Sequence, residues 1–313
     1  MNIVVTGSLG YDYIMDFSGK FADRIKPDNI HKISLSPLVD TLKKQFGGTA
    51  GNIAYSLKLL GLEPMIQSSL GNDALPYTEF LIKHHMNTAY ISVQKKVVSG
   101  TYFVVTDQED SQIGAFYKGA LAYNNMLSLK KIREPFSFVM IAPNEKKAMI
   151  QYVKECMYLK KPYLYDPAFQ IGDFSKSELL EGITHAAIVI GNDYEIDLLL
   201  DKLGISKKKL ISMTSILVTT LGGKGSRIET KTETIHVKPA KVKNTSDPTG
   251  AGDAYRGGFL AGFLRGYDLR TCGQMGSVSA AYTVEQYGTM THSYTKKQFI
   301  ERYMKNFHAA LVL

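Results

Sequence analysis

Long apolar runs are missing from this 313-residue chain. Nothing approaches the roughly 20 residues of a membrane-spanning helix, and Met1-Asn2-Ile3-Val4-Val5-Thr6-Gly7 carries no basic leader before its short apolar run. The expectation is neither export nor membrane insertion. Cysteine is scarce as well: Cys156 and Cys272 stand alone and no Cys-x-x-Cys occurs, which excludes a disulfide framework and fits the cytoplasm. The histidines include no His-Glu-x-x-His and no cluster with metal-ligand spacing, so a dedicated zinc site is not expected. Neither Gly-x-x-x-x-Gly-Lys-Ser/Thr nor a helix-opening Gly-x-Gly-x-x-Gly is present, and neither a P-loop nor a Rossmann dinucleotide site is written here. No linker, repeat or low-complexity break interrupts the chain, so one domain over 1–313 is expected.

What is present is the balance of a globular protein, 44% hydrophobic and 21% charged. The formal charge of +8 is spread over scattered lysine pairs such as Lys43-Lys44 and Lys95-Lys96. Scattered pairs read as solvated faces, and no nucleic-acid partner is expected. A positive field still favours an anionic nucleotide such as ATP.

The chain is organised around Asp247-Pro248-Thr249-Gly250-Ala251-Gly252-Asp253, which runs into the small-residue segment Ala254–Leu264. Pro248 holds Asp247 extended, and Gly250 and Gly252 allow a tight turn. The first free N–H groups of the following helix, with the positive end of its dipole, then make an anion-binding corner. Asp253 sits inside that corner. It reads either as a carboxylate complementing the helix dipole or as a base that takes a proton from an attacking hydroxyl.

Upstream, strand Asn2–Thr6 exits through glycines to Asp12, at the strand end where open α/β sheets bind ligands. A second glycine-rich loop, Gly47-Gly48-Thr49-Ala50-Gly51-Asn52, opens another helix, either as plain loop flexibility or as a ligand contact. Runs 99–106 and 112–118 read as a hairpin around 107–111. Its Tyr102, Phe103, Phe116 and Tyr117 are packing aromatics or faces for a base or sugar, and alternation sends one of each adjacent pair inward.

From Phe138 onward strands and helices alternate: strands at 138–141, 163–165, 187–190 and 216–220, helices at 145–158, 175–180 and 193–200. This predicts a parallel sheet covered on both faces. Asn192 and Glu195 read as a helix cap and its capping-box partner. Gly222-Gly223-Lys224-Gly225, after Thr220, reads as a turn or as a nucleotide contact.

Asp-Pro-Thr-Gly-Ala-Gly-Asp-Ala-Tyr-Arg-Gly-Gly resembles the C-terminal signature of the ribokinase-like, or phosphofructokinase-B, sugar and nucleoside kinases, and the order of the other motifs agrees over nearly the whole chain. The resemblance implies a three-layer α/β sandwich with a mainly parallel central sheet and a small β-sheet lid at about 11–46 and 96–119. It makes Asp253 the catalytic base and Gly250, Ala251 and Gly252 the anion hole. Asp12, Gly47, Gly48 and Asn52 would bind the acceptor. Asn192, Glu195, Thr220, Gly222, Lys224 and Gly225 would serve ATP, with Glu195 reaching Mg²⁺ through water, and Asp247 and Thr249 a monovalent cation such as K⁺. Pro248 and Arg256 resemble the family's nucleoside kinases more than its ribokinases, which implies adenosine as acceptor, with a sugar such as ribose or fructose as the alternative. Monomer and homodimer both remain open.

Overall fold

The computed structural model describes residues 2–25, 34–109 and 111–313. Residues 26–33 of the expected lid and Asp110 of the expected hairpin turn lie outside these described residues. In chain order the strands are β1 (Asn2–Thr6), β2 (Gly10–Asp16), β3 (Thr41–Gly47), β4 (Glu63–Leu70), β5 (Ile91–Val93), β6 (Gly100–Thr106), β7 (Gln112–Tyr117), β8 (Phe138–Ile141), β9 (Tyr163–Tyr165), β10 (Ile188–Asn192), β11 (Ile216–Thr220), β12 (Ser226–Glu229) and β13 (Thr234–Val237). The helices are α1 (Thr49–Leu59), α2 (Leu75–Lys83), α3 (Lys146–Tyr158), α4 (Lys176–Thr184), α5 (Asp193–Leu203), α6 (Lys207–Met213), α7 (Ala251–Phe263), α8 (Leu269–Val284) and α9 (Lys296–Phe307).

Nine strands form one sheet in the order β13-β12-β11-β10-β9-β8-β1-β4-β5. From β11 to β5 all neighbours are parallel, and only β12 and β13 pair antiparallel at the edge. Successive residues of each central strand feed opposite cores, because side chains alternate across a sheet. Ile3, Val5, Phe138, Met140, Leu164, Ile188, Ile190 and Val218 pack with α1, α2, α7, α8 and α9. Val4, Val139, Ile141, Tyr163, Tyr165, Val189 and Leu217 pack with α3, α4, α5 and α6. Helix, sheet and helix therefore make the expected three layers. Short apolar runs buried on both faces are what central parallel strands require. Among the described residues no helix is long and apolar enough to cross a membrane.

A second sheet of four strands, in the order β3-β2-β6-β7, stands at the C-terminal end of β1. β2 and β6 run parallel, while β2–β3 and β6–β7 are antiparallel. The expected lid segment at about 11–46 contains all but the first residue of β2 and all but the last residue of β3. β4, buried over seven of its eight residues, is a central strand the sequence pattern did not reveal. The alternating helices run longer than expected at their C-termini, to Thr184 and Leu203.

Candidate active site

The Asp247–Asp253 loop turns at Gly250, whose φ of 78° is left-handed and suits glycine, and delivers the chain into α7. Thr289 closes over this turn so tightly that a Cβ on Gly250 would lie 2.7 Å from its Cγ2. Asp247 fastens the loop from below: its carboxylate accepts the N–H of Thr249 at 2.9 Å and that of Gly288 at 3.0 Å. The Ala251 N–H bends back to the Pro248 carbonyl at 3.2 Å. Among the described residues, the N–H groups of Gly250, Gly252 and Asp253 have no protein acceptor. Three free N–H groups thus gather at the start of α7, from Gly250, Gly252 and Asp253, while the Ala251 N–H expected among them is engaged by Pro248.

Asp253, half-buried on the first turn of α7, accepts the Asn52 Nδ2–H at 2.8 Å. Burial raises its carboxyl above the ordinary range, Glu195 adds to this, and Arg256 and the Asn52 bond pull it back down. A hydrogen bond to a charged acceptor is worth about 1.5–3 kcal/mol, so Asn52 is held by the acid as much as it holds the acid. Its other side-chain atom, Oδ1, is buried without a partner.

Asp12 approaches from β2. A Cβ on Gly47 would fall 2.2 Å from Asp12 Oδ2, so that position must be glycine for the carboxylate to lie where it does. The buried Tyr77 hydroxyl fixes the loop by donating to the Gly47 carbonyl at 2.8 Å. Burial, with the neighbouring Asp253 and Asp247 charges, pushes the Asp12 carboxyl up to about 7. Register puts Asp12, Tyr102 and Phe116 side by side across β2, β6 and β7, hence on one face. Phe103 lies on the other face, stacked on Tyr13 with centroids 5.2 Å apart. Tyr117 shares that outer face through its pairing with Thr101.

Beyond the anion corner lies a cleft of about 580 Å³ lined by Thr220, Gly222, Gly223, Gly225, Gly252 and the apolar side chains of Val242, Ala281 and Val284, among others. The 222–225 segment is a turn between β11 and antiparallel β12 and at the same time a wall of this cleft. Lys224 is exposed and does not line it. Asn192 and Glu195 form a complete capping box, each bond 2.8 Å, and Asn192 pairs in register with Thr220 at the cleft's edge. The site therefore joins an acid-lined pocket to an apolar cleft through a set of free N–H groups.

The model of the pfkB carbohydrate kinases matches residues 11–297. The chain belongs to that family. As a pfkB kinase it is an ATP-using phosphotransferase of the nucleoside and sugar class. Burkholderia thailandensis nucleoside kinase in complex with inosine superposes with a TM-score of 0.92 at 31% identity, covering 98% of this chain and 99% of that one. The same enzyme with ADP-inosine gives 0.89 at 32%, covering 98% and 97%. The Methanocaldococcus jannaschii nucleoside kinase structure gives 0.87 at 28%, covering 97% and 98%. A nucleoside kinase from Methanothermobacter thermautotrophicus is 28% identical over 96% of this chain and 95% of its own length.

In this pfkB kinase the sequence motifs left one group without a role. Arg256 is buried, its Nε donates to Asp166 Oδ2 in a short contact, and its Nη2 lies 3.9 Å from Glu195 Oε2. Asp166-Pro167 follows β9 and Arg256 lies within the signature, both local features of the sequence. Their pairing across 90 residues is not local. Tyr77 likewise was not singled out in the sequence.

Proposed function

We propose that the chain is an ATP-dependent nucleoside kinase that phosphorylates the 5′-hydroxyl of a purine nucleoside, adenosine foremost, giving AMP and ADP. The observation that carries this reading is the shared face of Asp12, Tyr102 and Phe116. A free sugar offers only hydroxyls, whereas a nucleoside adds a flat base for the aromatic rings to cover. The names of the relatives, one of them solved with inosine, support it.

Asp12 accepts hydrogen bonds from ribose hydroxyls, and the unpartnered Asn52 Oδ1 takes another. The 5′-hydroxyl lies against Asp253, which receives its proton as the oxygen forms a bond to the γ-phosphorus. The bond from that phosphorus to the β,γ-bridging oxygen breaks, and ADP carries away the charge. The free N–H groups of Gly250, Gly252 and Asp253, at the positive end of α7, stabilise the transferring oxygens. The apolar cleft takes the adenine of ATP, and the four-stranded sheet acts as the lid of a single 1–313 domain, excluding water.

Mg²⁺ would arrive with the phosphates of ATP. It would neutralise charge on the phosphates, and Glu195, which caps α5 at the Asn192 N–H, would meet it through its hydration shell. A K⁺ would draw on the lone pairs that Asp247 has left after its two N–H bonds, with Thr249 beside it. Replacing K⁺ by a bulky organic cation at constant ionic strength should slow turnover, and an unchanged rate removes the cation.

The acceptor is tested by kcat/KM for adenosine, inosine, ribose and fructose in an ATP-consumption assay. Adenosine should lead. A sugar preferred tenfold or more overturns the nucleoside reading.

A further inference from the structure

On the four-stranded sheet, Tyr102 pairs with Asp12 on one side and with Phe116 on the other, and two residues along the same face Val104 pairs with Gly114. A strand side chain ordinarily stands away from its sheet. Tyr102 lies down instead. A Cβ on Gly114 would fall 2.5 Å from its hydroxyl oxygen and 2.9 Å from both Cζ and Cε2. Gly114 is the diagonal neighbour of Tyr102 across the pair, a place that only a long side chain laid along the sheet can reach. Phe116 mirrors it more loosely, its Cζ 3.6 Å from where a Cβ on Gly100 would be, at the opposite diagonal on β6. Phe116 thus only touches the space over Gly100, whereas the Tyr102 phenol fills the space over Gly114.

The backbone of Gly114 does not ask for glycine, since it is outside the left-handed region. Nor does its strand, which is exposed along its whole length and would be firmer with a side chain there. What the position supplies is room for the phenol. We propose that Gly114 is a specificity-determining residue that acts by positioning Tyr102: its missing side chain lets the ring lie flat on β7 beside Phe116, which keeps the space in front of Asp12 and the two rings open for the flat base of a nucleoside. Any side chain at 114 lifts the phenol off β7 into that space. The inference rests on the nucleoside reading, and it gives the width of the acceptor pocket to a residue that lies behind Tyr102.

The test is steady-state kinetics of the full chain with adenosine and ATP, run on the parent and on Gly114→Ala, alone and combined with Tyr102→Phe or Tyr102→Ala. Gly114→Ala should raise KM for adenosine about tenfold, the size of one disturbed base–ring contact, with kcat and KM for ATP nearly unchanged. Adding Tyr102→Phe removes the hydroxyl, the atom nearest the new methyl, and should recover most of the loss. In the Tyr102→Ala protein no phenol is left to displace, so Gly114→Ala should change KM for adenosine there by less than about twofold. A glycine kept only so that a tyrosine can shield it predicts a different pattern: Gly114→Ala would shift thermal stability and leave KM for adenosine where it was. Should Gly114→Ala alone fail to fold, the two Tyr102→Ala proteins decide, because a further loss between them puts the effect of Gly114 outside Tyr102. An unchanged KM for adenosine in folded Gly114→Ala, or the same loss with and without Tyr102, overturns the inference and leaves the nucleoside reading intact. A parent that turns over ribose or fructose tenfold better than adenosine fails that reading before any variant is compared, and takes the inference with it.

Discussion

Replacing Asp12 by Asn should make the protein more stable while damaging acceptor binding. Asp12 is pushed from an ordinary 3.8 to about 7 by burial and by the Asp253 and Asp247 charges. The folded state therefore binds its proton more tightly than the unfolded chain, and ionising Asp12 opposes folding. Below pH 3.8 both states are protonated and nothing is lost. Between 3.8 and 7 the unfolded chain ionises first, and the penalty grows with pH until it is complete above 7. A rise of that size corresponds to roughly 4 kcal/mol. Asp12 is partly open to solvent and an Asn amide brings N–H groups that need acceptors, so the gain at pH 8 should be about 2–4 kcal/mol. That is a higher Tm by about 3–6 °C for a chain of this size. The assay is thermal and urea unfolding of both proteins at pH 8 and pH 4, without ligands. The gain should shrink to well under about 1 kcal/mol by pH 4. A variant no more stable than the parent at pH 8, or equally stabilised at both pH values, refutes the crowding of acids on which the site is built.

Gly47→Ala places a methyl 2.2 Å from Asp12 Oδ2 and should raise KM for the acceptor by about tenfold or more while leaving KM for ATP nearly unchanged; equal effects on both would detach Asp12 from the acceptor. Tyr102→Ala with Phe116→Ala should weaken nucleoside binding by about 1–3 kcal/mol, by analogy with base–aromatic stacking, with little effect on ribose. Phe103→Ala, on the outer face with Tyr13, should leave nucleoside binding unchanged, and a loss equal to that of the inward pair would reverse the assignment of faces.

The parts of the fold legible in the sequence are those whose signals are local. β1, β9 and β11 are short apolar runs, and the anion loop is a run of seven residues whose proline and glycines fix its own backbone. Capping boxes such as Asn192 with Glu195 span three residues. β3 was not legible because Leu42, Lys43 and Lys44 leave it exposed on both sides, so no alternation marks it. β2 mixes buried and half-buried positions because one face covers the site. The joining of Asn52 to Asp253 spans 201 residues and that of Arg256 to Asp166 spans 90; motif spacing carries no trace of either. Register decided the inward aromatics, since alternation within each strand left two choices until Asp12, Tyr102 and Phe116 were aligned.

The central claim is that Asp253 takes the proton of a nucleoside 5′-hydroxyl as the γ-phosphoryl of ATP is transferred. Asp253→Asn keeps the shape of the first turn of α7 and removes the base. With ATP, Mg²⁺ and saturating adenosine, formation of AMP by the parent and by this variant is followed through a single turnover. The expected result is 5′-AMP from the parent and a rate lower by about 10²–10⁴ in the variant, with modest changes in binding. Near-normal AMP formation by a folded Asp253→Asn protein would contradict the account.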